Sequence, residues 1–340
     1  LILLKAHLYA RPAGRAGPPL QKFISSGLAV IRFMKIALLS ISDLTGFVSD
    51  DDLVVAPLRE LGHVAETVPW QQSAVDWREY GGVVIRTTWD YQNNLATFLR
   101  VLQQIESQTR LANPLEIVRW NADKNTYLRD LAARGATIVP TIWNKGKTNS
   151  RQIEEWFDQL KSDEIVIKPT VGANAQDALR LKRGEADAAA LSKRFAGRSW
   201  MVQPFMRGIT AEGEFSLFYM DGEYSHAILK TPKPGDFRVQ EEHDGIIQAI
   251  EPQESLLAAG KEILQYISTP LLYARVDLVR TAEDKFALME LELIEPSLYL
   301  RESRARAAHV CESNRQLGVT QRRVTNTKAV TLPHIERRSL

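Results

Sequence analysis

The sequence predicts a chain of mixed class, an α/β segment followed by an α+β segment, and three observations carry that expectation. From Met34 onward, short apolar runs alternate with stretches of helical spacing, the pattern of a small parallel sheet with helices on its faces. From about residue 137 the reading becomes strand, helix, strand, loop, strand, helix, strand, a compact α+β unit. The third observation is the segment from Leu271 to Arg301, in which two apolar/polar alternating runs, Tyr273 to Arg280 and Phe286 to Ile294, flank the polar turn Thr281-Ala282-Glu283-Asp284-Lys285. That is a β-hairpin with a longer loop.

In chain order, the first strands fall near Lys35 to Ile41, Val64 to Pro69 and Val83 to Thr87. Helical spacing occupies Asp51 to Leu61, closed by Gly62, and Asn93 to Gln108. A further helix opens at Trp120-Asn121-Ala122-Asp123-Lys124 with Asn121 as its cap, runs to Arg134 and stops at Gly135. Strands follow at Thr137 to Thr141, Glu164 to Lys168, Ala178 to Lys182 and Trp200 to Gln203, with helices at Arg151 to Leu160 and Glu185 to Phe195. Phe215 to Met220 and Tyr224 to Lys230 form a hairpin about Asp221-Gly222, and an amphipathic helix near Ser255 to Ile267 leads to the closing hairpin. No internal repeat interrupts this order.

Composition narrows the classes. The chain has 340 residues, 44% hydrophobic and 25% charged, enough for two or three subdomains with their own cores. No apolar run has the length of a membrane span. The one cysteine, Cys311, excludes an internal disulfide framework and a cysteine zinc site, and the six histidines never fall at metal-ligand spacing on one helix. The formal charge of +2 is uneven: residues 1–33 and 302–340 carry +5 each, which leaves the body between them at −8. An acidic body argues against nucleic acid as its ligand. The first 33 residues, free of acids and rich in Arg, Pro and Gly, have the composition of a transit peptide or of translated sequence upstream of a start at Met34.

The chemistry concentrates in the hairpin. Glu290 and Glu292 are two residues apart, so a strand places both carboxylates on one face and Met289, Leu291 and Leu293 on the other. Folding about the turn brings Asp277 beside Glu290. Three carboxylates on one sheet face make a hard-oxygen site of the kind Mg²⁺ uses, although a solvated acidic strand face has the same spacing. Lys168 ends an apolar strand and precedes the small-residue loop Thr170-Val171-Gly172-Ala173-Asn174-Ala175, a candidate polyphosphate clamp or a surface lysine at a turn. Lys124 near a helix N-terminus opposes the helix dipole unless it shares an anion, for which Asp123 is one candidate. Asn144-Lys145-Gly146-Lys147-Thr148 imitates the end of a P-loop, but Thr141 stands where that motif needs glycine. No dinucleotide GxGxxG fingerprint occurs.

Taken together, Lys124 in WNADK, Lys168 in VIKP, Gln203-Pro204-Phe205 with Gly213-Glu214, Arg238, Asp277 and the Glu290/Glu292 pair before EPSLYLR resemble the ATP-grasp superfamily. The likeness runs from about Met34 to Arg301 and is nearest to bacterial glutathione synthetase and the ATP-grasp ligase that closes the cycloserine ring. It implies a Rossmann-like pre-ATP-grasp domain over 34–118 and an ATP-grasp domain over 119–301, with a lid over about 137–203. By that resemblance Lys124 and Lys168 hold the phosphates of ATP, and the loop with Thr170 and Gly172 folds over them. Gln203, Pro204 and Phe205 line the adenine pocket and Glu214 takes the ribose hydroxyls. Asp277, Glu290 and Glu292 carry two Mg²⁺ ions, with Mn²⁺ as an alternative; many relatives have Asn where this chain has Glu292. Arg238 faces the transferred phosphate and Arg301 lies near the acceptor. Arg86, at a strand end in Arg86-Thr87-Thr88-Trp89-Asp90-Tyr91, is a candidate for a substrate carboxylate, or one member of an ordinary strand-to-loop polar cluster.

The activity so implied is that of an ATP- and Mg²⁺-dependent ligase or cyclase. A small amino-acid-like carboxylate is activated as an acyl phosphate and displaced by an amine or similar nucleophile. A catalytically impaired nucleotide-binding protein is the alternative, because the basic segment after Arg301 lacks the apolar period of the helix with which relatives continue. A cytoplasmic location follows from the same reading, and a homo-oligomer is compatible with it.

Overall fold

The structure, a computed structural model, describes residues 34–303; the expected N-terminal extension over 1–33, the basic tail beyond residue 303 and Cys311 lie outside the described residues. The first sheet is parallel and contains β1 (Lys35–Ser40), β2 (Val64–Pro69), β3 (Gly82–Thr87) and β4 (Leu111–Ala112), in the order β2-β1-β3-β4. β1 and β3 are buried nearly throughout, as strands covered on both faces must be, whereas edge strand β2 is half exposed. Helix α1 (Asp52–Glu60) ends where Gly62 turns to φ +78° and His63 N–H reaches back to the Leu58 carbonyl, so the expected glycine stop is present. Helix α2 (Leu95–Gln108), capped by Asn94, buries Phe98, Leu102 and Ile105 along one face of the sheet.

The structure corrects the expected cap at Asn121. Helix α3 (Leu115–Asn121) ends there, and Asp123 caps α4 (Lys124–Ala133) by accepting from Asn125 N–H at 2.9 Å. Asn121 is committed elsewhere. Its buried amide donates to the Leu291 carbonyl at 2.8 Å and accepts from Leu293 N–H at 2.9 Å, standing in for a strand neighbour.

The second sheet is antiparallel, with β5 (Ile142–Lys145), β6 (Glu164–Pro169), β7 (Leu179–Lys182) and β8 (Ser199–Pro204) in the order β5-β8-β6-β7. Helices α5 (Ser150–Leu160) and α6 (Ala188–Arg194) cover it through Ile153, Trp156, Phe157 and Leu191. The strand expected at Thr137 to Thr141 lies instead at 142–145. Residues 137–139 attach to the third sheet, with Leu288 N–H donating to the Thr137 carbonyl and Val139 N–H to the Leu288 carbonyl, because the Val139 side chain is wholly buried beside Val279 and Ala287. Likewise α6 starts at Ala188 rather than Glu185, since Asp187 caps it by accepting from two backbone N–H groups.

The third sheet carries β9 (Glu214–Met220), β10 (Glu223–Thr231), β11 (Ile246–Ala249), β12 (Tyr273–Arg280) and β13 (Phe286–Glu292), ordered β11-β10-β9-β12-β13. A short helix, α7 (Arg207–Ala211), precedes it. Asp221 and Gly222 both take positive φ, the geometry of the expected tight turn. Helix α8 (Glu254–Gln265) packs on one face so closely that a Cβ on Gly260 would stand 2.3 Å from Leu217.

Buried polar bonds join the first and third sheets. Asn113 donates to the carbonyls of Tyr273 and Leu293 at 2.9 and 2.7 Å and accepts from Leu272 N–H at 2.7 Å. The Tyr273 hydroxyl bonds the Ile85 and Ile294 carbonyls, and Trp89 Nε1 donates to the Glu295 carbonyl at 3.0 Å. Among the described residues no helix is long and apolar enough to cross a membrane.

Candidate active site

The hairpin β12–β13 pairs Asp277 with Glu290 and Arg275 with Glu292, the juxtaposition expected from strand period. One residue departs from it. Pairing slips between Asp277 and Leu278, whose partners are Glu290 and Leu288, so Met289 is an extra residue in β13. Such a bulge turns two successive side chains to the same side. Leu288, Leu291 and Leu293 therefore enter the core, while Met289, expected with them, lines the cavity beside Glu290.

The carboxylates are held by cations, two of which, Arg275 and Lys230, sequence reasoning missed. Arg275 stands between two of them, with Nη2 3.0 Å from Asp277 Oδ2 and also bonded to Glu292 Oε1. Lys230 Nζ lies 2.6 Å from Glu214 Oε1 and 3.4 Å from Asp277 Oδ1, and Ser216 Oγ donates to Asp277 as well. Lys124 Nζ is 2.6 Å from Glu290 Oε1 and donates to the Gly172 carbonyl at 2.8 Å. The anion that Lys124 shares is thus Glu290, not Asp123. Burial opposes charge on Glu290 and Asp277, but their lysine and arginine neighbours outweigh it and hold both carboxyls low. Glu292 behaves differently. Burial, with Asp277 and Glu290 repelling it, pushes its carboxyl up to about 7 against the pull of Arg275.

This shift sets a pH dependence. An acid whose folded-state pKa is raised favours folding at low pH and loses that contribution as pH rises toward the folded value, here about 7. Glu292→Gln removes the cost of ionising this half-buried acid. The melting temperature of the variant relative to the parent is therefore expected to climb between roughly pH 5 and pH 8 in the ligand-free protein. A difference that stays flat across that range would show that Glu292 ionises freely.

The cavity lies between the second and third sheets. The predicted residues Lys124, Lys168, Gly172, Arg238 and the hairpin carboxylates all line it. So do Gln203, Pro204, Phe205 and Glu214, the chain that crosses between the sheets and opens β9. Gln203 spends its side-chain amide on Thr141 Oγ1 at 3.0 Å, and the Phe205 ring lies under the Arg180 guanidinium. Lys168, at the end of β6, is half-buried in the wall with no hydrogen bond or ion pair among the described residues, and desolvation lowers its pKa despite Glu290. Arg238 is paired with Asp236 at 2.8 Å.

Three predicted site residues stand off the cavity. Thr170 is buried behind its loop, where its carbonyl accepts from Lys124 N–H at 2.9 Å. Arg86 is 4% exposed and engaged with Asp51 at 2.8 Å and the Pro296 carbonyl, because a guanidinium so buried requires an internal counter-charge. Arg301 bridges Asp50 at 3.1 Å and Glu241 at 2.6 Å. Trp89 and Tyr91, from the same segment as Arg86, do line the cavity, together with Glu295, Ser297 and Tyr299.

Among the described residues no three acidic or imidazole groups form a ready metal cage, since Lys124 and Arg275 occupy their oxygens. The donor set nonetheless fits a hard divalent ion. It consists of carboxylate oxygens alone, with Asp277 opposite Glu290 in the pairing of the hairpin and all three acids lining the cavity, the donor type such an ion takes.

A lysine-lined cavity between two antiparallel sheets, with a carboxylate hairpin on its floor, defines an ATP-dependent carboxylate–amine ligase of the ATP-grasp fold. Residues 36–113 match the family described as D-cycloserine synthetase DcsG, N-terminal domain. Over 257 residues the chain is 34% identical to the cycloserine biosynthesis protein DcsG of Streptomyces lavendulae, covering 71% of this chain and 85% of that protein. It is 23% identical over 194 residues to the glutathione synthetase of Rhodopseudomonas palustris (strain ATCC BAA-98 / CGA009), covering 56% of this chain and 59% of that protein. The crystal structure of D-cycloserine synthetase DcsG superposes with a TM-score of 0.67 at 30% identity, over 81% of this chain and 99% of that one. The D-alanine–D-alanine ligase of Bacillus anthracis shares the fold, with a TM-score of 0.59 at 16% identity over 82% and 93% of the two chains. The chain belongs to the ATP-grasp superfamily, in the family of D-cycloserine synthetase DcsG.

Proposed function

We propose that this protein activates the carboxylate of a small amino-acid-derived acid as an acyl phosphate and transfers the acyl group to an amine or similar nucleophile, ring closure within one molecule included. The observation that carries this reading is Lys168, a half-buried cation in no ion pair among the described residues, which lines one cavity with the carboxylate hairpin. A bound polyphosphate would supply the missing charge. Lys124 and Lys168 bind the phosphates, with Gly172 in the loop above them; Gln203 to Phe205 flank the base, and Glu214 meets the ribose. Asp277, Glu290 and Glu292 would hold two Mg²⁺ ions. The chemistry such ions would supply is neutralisation of phosphate charge.

Two steps follow. A carboxylate oxygen of the acceptor attacks the γ-phosphorus and the bond to the β-phosphate oxygen breaks, releasing ADP. Arg275, Lys230 and Arg238 offset the repulsion of two anions brought together. The nucleophile then adds to the acyl carbon, loses a proton, and inorganic phosphate departs with its oxygen. No serine or cysteine nucleophile is required.

The test is the melting temperature of the protein with and without Mg²⁺-ATP. Saturating nucleotide is expected to raise it on the order of 5 °C, and Glu290→Gln to remove the rise. ADP and phosphate should then appear together when an amino-acid acceptor is supplied. A rise without ADP formation under any acceptor would leave a nucleotide-binding protein that lacks catalysis, and no rise would overturn the site.

A further inference from the structure

β13 ends the order of the third sheet, and on its outer side only the short bridge at Ile138 to Leu288 pairs with it. The backbone groups it turns outward are nevertheless taken one after another, as buried groups must be. Leu288 N–H donates to the Thr137 carbonyl, and the Leu288 carbonyl accepts from Val139 N–H. Leu291 N–H donates to the Tyr127 hydroxyl at 3.4 Å, and the Leu291 carbonyl accepts from the Asn121 amide at 2.8 Å. Leu293 N–H donates to the same amide at 2.9 Å, and the Leu293 carbonyl accepts from Asn113 at 2.7 Å. The two bonds of Asn121 are those that flank Glu292.

These partners fix the phase of the strand. A regular strand that turns Leu288 outward turns Glu290 and Glu292 outward as well, because backbone direction repeats every two residues. Here the outward residues are Leu288, Leu291 and Leu293, a step of three and then a step of two. The step of three is the bulge at Met289. Without it Met289 would stand opposite Asp277, and Glu290 and Glu292 would pass to the core face with Leu288. Asn121 is 7% exposed, and both ends of its amide are committed to the bulged phase.

We propose that Asn121 is a positioning residue for the carboxylate hairpin. By holding the backbone on both sides of Glu292 it keeps β13 in the bulged phase, so that Glu290 and Glu292 share the cavity face with Asp277. The same short segment carries Lys124, whose Nζ lies 2.6 Å from Glu290 Oε1, so side chain and backbone of β13 are gripped from one place. Asn113 supplies a comparison within the fold. It makes three buried bonds, to Tyr273, Leu293 and Leu272, but the one nearest the acids lies past both of them. This role rests on the ligase reading given above, in which the hairpin acids would hold divalent ions.

The test is the Mg²⁺ concentration at which the ATP-induced rise in melting temperature is half complete, with hydrogen exchange of the ligand-free protein as a second readout. Asn121→Ala is expected to raise that concentration roughly tenfold, the usual effect of removing a group that orients a metal ligand, and to speed exchange at the Leu293 amide. Asn113→Ala should lower the melting temperature at least as much and leave the Mg²⁺ concentration at the parent value. Asn121→Asp answers the same question if Asn121→Ala fails to fold, since it keeps the acceptor for Leu293 N–H and loses the donor to the Leu291 carbonyl. Its added negative charge by itself favours a cation, so a raised Mg²⁺ requirement in this variant reports the displaced strand. A requirement unchanged in the Asn121 variants, or raised equally in Asn113→Ala, would overturn the role and leave the ligase reading standing, because the ATP-induced rise persists. No Mg²⁺-dependent rise in the parent would overturn both.

Discussion

Lys168→Met is expected to lower ADP formation by at least about 10²–10³-fold, the scale at which a charge-stabilising donor acts in phosphoryl transfer, without harming the fold. The second half of this expectation is specific to the structure. Lys168 makes no ion pair or hydrogen bond among the described residues, and its charge is opposed by burial and by Lys124. Removing the charge while keeping an apolar chain of similar length takes away a desolvation cost and no contact. The ligand-free variant should therefore melt at or above the parent temperature and lose the Mg²⁺-ATP shift. Turnover at the parent rate would remove Lys168 from the phosphate site.

Arg275→Met should produce the opposite combination, with both turnover and stability lost. Arg275 is 8% exposed and is the shared partner of Asp277 and Glu292. Removing one member of a buried ion pair costs about 3–5 kcal/mol, or roughly 10 °C in melting temperature for a domain of this size. The loss should be smaller at low pH, where Glu292 takes up a proton readily. Adding Glu292→Gln to Arg275→Met should return part of the stability and none of the turnover. An Arg275→Met protein that melts like the parent would show that Lys230 alone balances the acids.

What the sequence made legible is what depends on local period. The alternation in β13 placed Glu290 and Glu292 together, and the hairpin turn placed Asp277 opposite. Arg275 and Lys230 stand in equally regular strands, but their roles depend on cross-strand register. Register in both hairpins is offset by a bulge, at Met289 in one and between Tyr224 and His226 in the other. Counting outward from the turns does not reveal such an offset. The ion pairs of the arginines were hidden for a different reason. Arg86 and Arg301, candidates for the substrate and the acceptor, meet acids that are far along the chain, 35 residues away for Asp51 and 251 for Asp50. Asn121 was likewise a good cap by type, yet its amide answers to β13, 170 residues on.

The bonds of Asn113, Tyr273 and Trp89 between the first and third sheets bear on how the two ends of the cavity adapt. They are buried, and each would be lost if those sheets shifted. The second sheet, a single stretch from 142 to 204, joins the rest through two chain crossings. The hydrogen bonds reaching across to it are few, chiefly those of Lys124 to Thr170 and Gly172 and of His243 to the Asn174 carbonyl at 3.1 Å. The face of the cavity on the third sheet is thus a template cast at folding, while the face on the second sheet is a wall held by a few clasps. On the function proposed above, a new acceptor would call for new side chains in that template, whereas a new nucleotide would call for a wall held differently.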